Sequence, residues 1–226
     1  MRTVIFDLDG TLADTSADLV AAANACFRGL GHGDLLDPAR DALTAFHGGR
    51  AMLRLGLSRL ATAGEAIDEA LVDAQYPALL EHYARDILVQ TRAYPGAIAA
   101  VEALRARGVA VGICTNKPEA LAEALLAKMG IRGLFASMIG ADTLPLRKPD
   151  PAPYVAAVTR AGGQVARSLL VGDTETDRRT AAAAGVPCVL VTFGPEGPGI
   201  ARLAPEALLH RYEDLPALAE RLLGAA

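Results

Sequence analysis

Residues 4–15 read VIFDLDGTLADT. Val4, Ile5 and Phe6 form an apolar run of strand formers, and two aspartates, Asp7 and Asp9, follow with Gly10-Thr11 behind them. Aspartate is a poor strand residue and is costly to bury unpaired. An Asp-Gly turn closing a hairpin is one explanation. The other is that both carboxylates face a cation and a reacting group.

Further polar residues fall in similar places. Thr115-Asn116 follows VAVGIC, Asp142 follows SMIG, and Asp173 follows LLVG, with Asp177 four residues later. Lys148-Pro149 adds a cation on a stiff loop. Each of these alone fits an ordinary turn, a helix cap or a surface loop. Their conjunction, each group in order after a predicted strand, is hard to obtain from turn chemistry.

The elements that must position them follow from periodicity. Residues 1–7, VAVGICT, SMIGAD, SLLVGD and VPCVLVTFG read as strands. Between them AIAAVEALRARG, PEALAEALLAKMG, PAPYVAAVTRAGG and TETDRRTAAAAG read as helices, and LPALAERLLG closes the chain as another. Strands alternating with such helices predict an α/β fold with a parallel sheet covered on both faces. Ligands of such a sheet bind at the carboxyl ends of its strands, where the polar residues collect. Residues 15–90 break the alternation and read as helices: LVAAANACFRGLG, DPARDALTAF, GRAMLRLGLSRLA and EAIDEALVDAQYPALLEHYARDI, the last with Pro77 as a possible break. The expected organisation is an α/β core of residues 1–14 and 91–226 with an all-helical insertion at 15–90. TFGPEGPGIARLAPEALL reads as a flexible Gly/Pro-rich loop that either closes over the site or buries against a neighbour.

Composition narrows the function. The 226 residues are 52% hydrophobic and 21% charged, with a net charge of −4 and no basic run, which argues against nucleic-acid binding. No stretch has the length of a membrane span and no leader is evident, so a soluble cytoplasmic protein is expected. Cys26, Cys114 and Cys188 lack metal-site spacing and read as reduced, buried thiols. His32, His82 and His210 read as surface residues.

Asp7-Leu8-Asp9-Gly10-Thr11, Thr115-Asn116, Lys148-Pro149 and Gly172-Asp173-Thr174-Glu175-Thr176-Asp177 together resemble the four ordered motifs of the haloacid dehalogenase-like hydrolases. The resemblance implies a Rossmann-like core with a helical cap inserted after the first motif. It also implies a phosphoryl-transfer site using Mg²⁺. Asp7 is then the nucleophile, forming an aspartyl-phosphate, and Asp9 the general acid and base. Asp7 and Asp173 are expected to ligate the metal with their side chains and Asp9 through its backbone carbonyl. Asp177 either ligates directly or holds a metal-bound water. Thr115 and Lys148 would bind the phosphoryl oxygens, with a backbone cradle from Leu8 through Gly10 to Thr11 and at Asn116. An acid at position 9 favours phosphoryl transfer over dehalogenation, because a halide leaves without a proton.

Selectivity is expected from the insertion, where AFHGGRAML offers Arg50 and His47 to a substrate anion unless both are solvated helix-start residues. Thr115-Asn116-Lys117-Pro118, His47-Gly48-Gly49-Arg50 and VGDTETDRRTAAAAGVP resemble the phosphoglycolate phosphatase branch, which implies a small phosphorylated metabolite as partner. Related branches hydrolyse sugar phosphates, nucleotides or pyrophosphate. A β-phosphoglucomutase-type mutase would carry a histidine near residue 19 or 20, where this chain reads SADLVAA. A phosphorylation-responsive receiver domain would be about half this length, and an idle scaffold would not fill every catalytic position. Cap closure would hinge near Ala13–Thr15 and Arg92–Pro95.

Overall fold

The computed structural model describes residues 1–61 and 66–224. The chain divides into two compact units, Met1–Asp14 with Ala93–Ala226, and Thr15–Arg92. Two-residue strands β2 (Ala13–Asp14) and β3 (Arg92–Ala93) lie where the chain leaves the first unit and where it returns.

The first unit contains a six-stranded sheet, β1 (Thr3–Phe6), β4 (Ala110–Cys114), β5 (Ser137–Ile139), β6 (Ser168–Gly172), β7 (Cys188–Val191) and β8 (Ala207–Leu209), in the order β5-β4-β1-β6-β7-β8 with every pairing parallel. Helices α5 (Ala97–Ala106), α6 (Glu119–Lys128), α7 (Ala152–Arg160), α8 (Glu175–Ala184) and α9 (Leu215–Leu223) connect and flank the strands. Every residue of β1, β6 and β7 is buried, which explains why these strands read as continuous apolar runs. Ile5, Ile139, Tyr154, Val158, Leu170 and Leu190 belong to one packed core. Register decides where the polar residues go. Phe6 lies level with Ile113 of β4 and Val171 of β6, so Asp7, Thr115 and Asp173 emerge at one edge of the sheet.

β8 lies inside the stretch expected to be a loop, preceded by a 3₁₀ segment at Gly197–Leu203. Its residues are Ala-Leu-Leu on an edge, a sequence with no strand signature of its own. Ile200 is fully buried, which ties the segment to the core.

The second unit holds α1 (Ser16–Gly29), α2 (Ala42–Phe46), α3 (Gly49–Ser58) and α4 (Glu69–Arg85). Phe27, Met52, Leu53, Val72 and Leu79 are among its large buried apolar residues. Asp18, buried on the first turn of α1, accepts hydrogen bonds from the N–H groups of Val89, Gln90 and Thr91 and from the Thr91 hydroxyl at 2.8–3.1 Å. The second helix is shorter than DPARDALTAF suggests. Asp37 accepts from the Ala39 and Arg40 N–H groups and closes a separate turn, and the helix begins after Asp41, which pairs with Arg59 at 2.6 Å. The fourth helix begins after Asp68, whose carboxylate caps the Ala70 and Leu71 N–H groups. The start expected at Glu65 lies outside the described residues. Pro77 does not break α4. Pro77 and Asp73 are both exposed, and the proline costs the helix one hydrogen bond on its exposed side. Among the described residues no helix is long and apolar enough to cross a membrane.

Candidate active site

Asp7 leaves β1 with its N–H bonded to the Val171 carbonyl at 2.9 Å, so its backbone continues the sheet for one more residue. Its Oδ1 accepts from the Leu8 N–H at 2.7 Å. The chain then turns sharply. Leu12 and Ala13 donate back to the Leu8 carbonyl at 3.0 and 3.1 Å, and Gly10, at φ 76°, donates to the Ala13 carbonyl at 2.9 Å. The chain therefore leaves the strand direction just after Asp7, and Asp9 sits within the turn. The amides expected to cradle phosphate at Gly10 and Thr11 already have acceptors inside this turn, at 2.9 and 3.4 Å. Thr11 directs its hydroxyl to Asp173 Oδ1 at 2.7 Å and is fully buried.

Asp173 follows β6 and Asp177 lies on the first turn of α8. Thr174 caps that helix, and Asp177 Oδ2 accepts from the Thr174 hydroxyl at 2.6 Å and from the Thr174 and Asp173 N–H groups at 3.1 and 3.3 Å. The glycine before Asp173 has a steric cause: a Cβ on Gly172 would lie 2.4 Å from Asp177 Cβ and Cγ. Lys148 Nζ bridges Asp177 Oδ1 at 2.6 Å and Asp7 Oδ2 at 3.1 Å. Asn116 Nδ2 donates to the Lys148 carbonyl at 2.9 Å and so secures the loop that delivers this lysine.

Asp7, Asp173 and Asp177 each place a carboxylate oxygen within 4.8 Å of the others. Three buried carboxylates face one buried ammonium, and Asp173 Oδ2 is buried with no hydrogen-bond partner among the described residues. An acidic, oxygen-only cluster with an unsatisfied oxygen fits a hard divalent cation. Electrostatics agree. Burial pushes Asp7 up to about 6, with Lys148 opposing and Asp177 and Asp9 reinforcing the rise. Burial, then Asp177 and Asp7, raise Asp173 well above the usual carboxylate range. Burial would lower Lys148, but Asp177 and Asp7 outweigh it and hold the amine above its ordinary value.

These shifts carry a sign. A free carboxyl titrates near 4, so stability associated with Asp7 is present below about 4 and is lost as pH rises through about 6. Asp173 acts in the same direction. A cation bound by the ionised carboxylates offsets the loss. Saturating Mg²⁺ is therefore expected to raise Tm more at about pH 7.5 than at about pH 5, as read by scanning calorimetry. Equal increments at both pH values would show that these carboxylates do not hold the ion.

Thr115 ends β4 with its N–H on the Ile139 carbonyl at 2.9 Å. Its Oγ1 accepts from the Lys117 N–H at 3.2 Å, and its hydroxyl hydrogen has no acceptor among the described residues. Cys114 is inert by comparison, its thiol pushed up to about 12 chiefly by burial. Asp142, also at a strand end, stands apart from the acidic cluster and accepts from the Glu119 N–H at 2.7 Å, capping α6.

Two features escape the sequence pattern. Lys117 is buried, with Nζ 2.9 Å from both oxygens of Asp9. Its place directly after Thr115-Asn116 does not set it apart from a solvated lysine. Gly194 presses on the site from the Gly/Pro-rich stretch, where a Cβ would lie 3.0 Å from the Gly10 carbonyl and 3.2 Å from Asp173 Cβ. Beside it Phe193 packs between the Tyr94 and Tyr212 rings, and the Tyr212 hydroxyl donates to the Thr11 carbonyl at 2.7 Å.

Within the helical unit, Arg50 donates to Asp73 Oδ1 at 2.9 Å and stacks over Tyr76 at 3.8 Å. Its pair with Asp73 is exposed on both sides, so holding it adds little stability. His47 is exposed at the end of α2.

The chain matches the family model of haloacid dehalogenase-like hydrolases over residues 1–185 and belongs to that family. A phosphoglycolate phosphatase of Mesorhizobium japonicum is 38% identical over 226 residues, covering 99% of this chain and 97% of the relative. One of Rhodospirillum rubrum is 39% identical, covering 95% and 89%. Among solved structures, a predicted phosphoglycolate phosphatase of Haemophilus somnus superposes with a TM-score of 0.84 at 25% identity, covering 96% of this chain and 97% of that one.

Proposed function

We propose that this protein is a Mg²⁺-dependent phosphomonoester hydrolase acting on 2-phosphoglycolate through an aspartyl-phosphate at Asp7. The observation that carries the chemistry is the buried cluster of Asp7, Asp173 and Asp177 around Lys148, with Asp9 two residues beyond Asp7. The substrate rests on the phosphoglycolate phosphatases that are 38% and 39% identical over nearly the whole chain.

An Asp7 carboxylate oxygen attacks phosphorus, and the bond from phosphorus to the ester oxygen breaks. The electron pair goes to that oxygen, which takes a proton from Asp9 and leaves as the glycolate hydroxyl. Water then attacks the phosphorus of the aspartyl-phosphate and gives a proton to Asp9, releasing inorganic phosphate and restoring Asp7. Lys148 and the Thr115 hydroxyl neutralise and hold the phosphoryl oxygens, with the Asn116 amide beside them. Asp7, Asp173 and Asp177, with the Asp9 carbonyl, would hold Mg²⁺. When bound, the ion screens the dianion from the attacking carboxylate. Selectivity is assigned to the helical unit, with Arg50 and His47 as its candidate residues for a substrate anion.

The test is phosphate release from 2-phosphoglycolate, glucose phosphates, nucleotides and pyrophosphate, with Mg²⁺ and with chelator. A lead for 2-phosphoglycolate of about tenfold or more in kcat/KM, ~1.4 kcal/mol, is expected, with loss of activity in chelator. Mg²⁺-dependent activity spread evenly over the panel would remove the named substrate and keep the chemistry.

A further inference from the structure

Lys117 has no part in the scheme above, yet it grips the residue that must move the proton. Its ammonium lies 2.9 Å from Asp9 Oδ1 and 2.9 Å from Oδ2. The lysine side chain is 3% exposed and the aspartate 18%. The backbone beneath it is fixed. The Lys117 N–H donates to Thr115 Oγ1, and its carbonyl accepts from the Ala141 N–H at 2.9 Å. A lysine this buried must keep an anionic partner.

A carboxylate held through both oxygens by one ammonium is not placed to hand a proton to an ester oxygen. The Asp9–Lys117 pair must therefore part during leaving-group departure. A second anion competing for the same ammonium would part it without leaving the lysine unpaired. In 2-phosphoglycolate the carboxylate is attached to the carbon that carries the ester oxygen. A substrate whose ester oxygen is within reach of Asp9 thus brings its carboxylate close to the partner of Asp9.

We propose that Lys117 is a specificity-determining interlock: it holds Asp9 until the carboxylate of the correct substrate takes its ammonium, which frees Asp9 to take a proton from solvent and pass it to the ester oxygen. The inference rests on the phosphoglycolate reading for the identity of the displacing anion. An ester lacking the carboxylate binds by its phosphate and leaves the pair closed, so it turns over slowly although its phosphorus is equally accessible. Discrimination then appears in kcat as well as in KM.

The experiment measures kcat and KM of the wild type and of Lys117→Met on 2-phosphoglycolate and on ethyl phosphate, which has the same ester linkage and no carboxylate, at saturating Mg²⁺. In the variant, kcat/KM for 2-phosphoglycolate is expected to fall and kcat for ethyl phosphate to rise, narrowing the ratio between the esters by about 100-fold. The rise is a readout that a merely structural lysine cannot give, since loss of a scaffold contact lowers both activities. A fall or no change with ethyl phosphate overturns the interlock. If the wild type shows no preference for 2-phosphoglycolate, the substrate reading fails by itself. The ethyl phosphate comparison still decides whether Lys117 restrains Asp9. Should Lys117→Met not fold, Lys117→Gln supplies the same comparison.

Discussion

Asp7→Asn is expected to lower kcat by about 10⁴-fold or more, because the amide cannot form the covalent phosphoenzyme and no second carboxylate can replace it. Asp173 and Asp177 are fixed by the Thr11 hydroxyl and by the cap of α8, so neither can swing into line. The substitution is nearly isosteric and leaves Lys148 paired with Asp177, so the fold is expected to survive and the loss to be chemical. Rapid acid quench of the wild type on labelled substrate should trap phosphate on the protein, and the variant should trap none. Retention of a hundredth of wild-type turnover in Asp7→Asn would rule out Asp7 as the nucleophile.

Lys148→Met is expected to damage both stability and rate. The ammonium is the buried counter-charge of Asp7 and Asp177. Removing one partner of a buried ion pair typically costs about 3–5 kcal/mol, because the remaining charge is left uncompensated. Urea unfolding without added metal should show a loss of that order. Mg²⁺ should recover much of it, since the vacated charge increases the pull of the acidic cluster on a cation. Activity should stay about 10³-fold down even at saturating Mg²⁺, because the phosphoryl oxygens have lost a fixed positive contact. A variant that unfolds like the wild type without metal would mean that the carboxylates accommodate one another without Lys148.

Asp7, Thr115 and Asp173 are legible in the sequence because each ends an apolar run, and a parallel sheet in register carries such ends to one edge. The insertion is legible because helical periodicity replaces alternation after Thr15. Lys117 is not, since nothing in a tetrapeptide such as Thr-Asn-Lys-Pro distinguishes a solvated lysine from one folded onto a distant aspartate. That contact spans 108 positions and exists only once β1 and β4 lie side by side. β8 is hidden for a related reason. Its Ala-Leu-Leu has helical preference, and its place is set by neighbours: the Thr192 N–H bonds to the Leu209 carbonyl at 3.0 Å, and the Cys188 N–H bonds to Glu206 at 2.7 Å. The Thr11 hydroxyl bond to Asp173 is likewise hidden in the sequence, since it joins positions that only the pairing of β1 with β6 brings together.

The clamp made by Asp18 also bears on how such a chain can fold. A long insertion ordinarily burdens the host sheet with the entropy of closing a large ring, a cost that grows as the logarithm of ring length. Here one buried carboxylate at the entrance of the insertion gathers three backbone N–H groups and a hydroxyl at its exit. Once that knot has formed, the strands before and after it experience a short connection, whatever the number of residues beyond it. The helices can then lengthen, shorten or be exchanged over evolutionary time while β1 and β4 remain neighbours at little added entropic cost. In this sense Asp18 separates the history of the helical unit from that of the sheet.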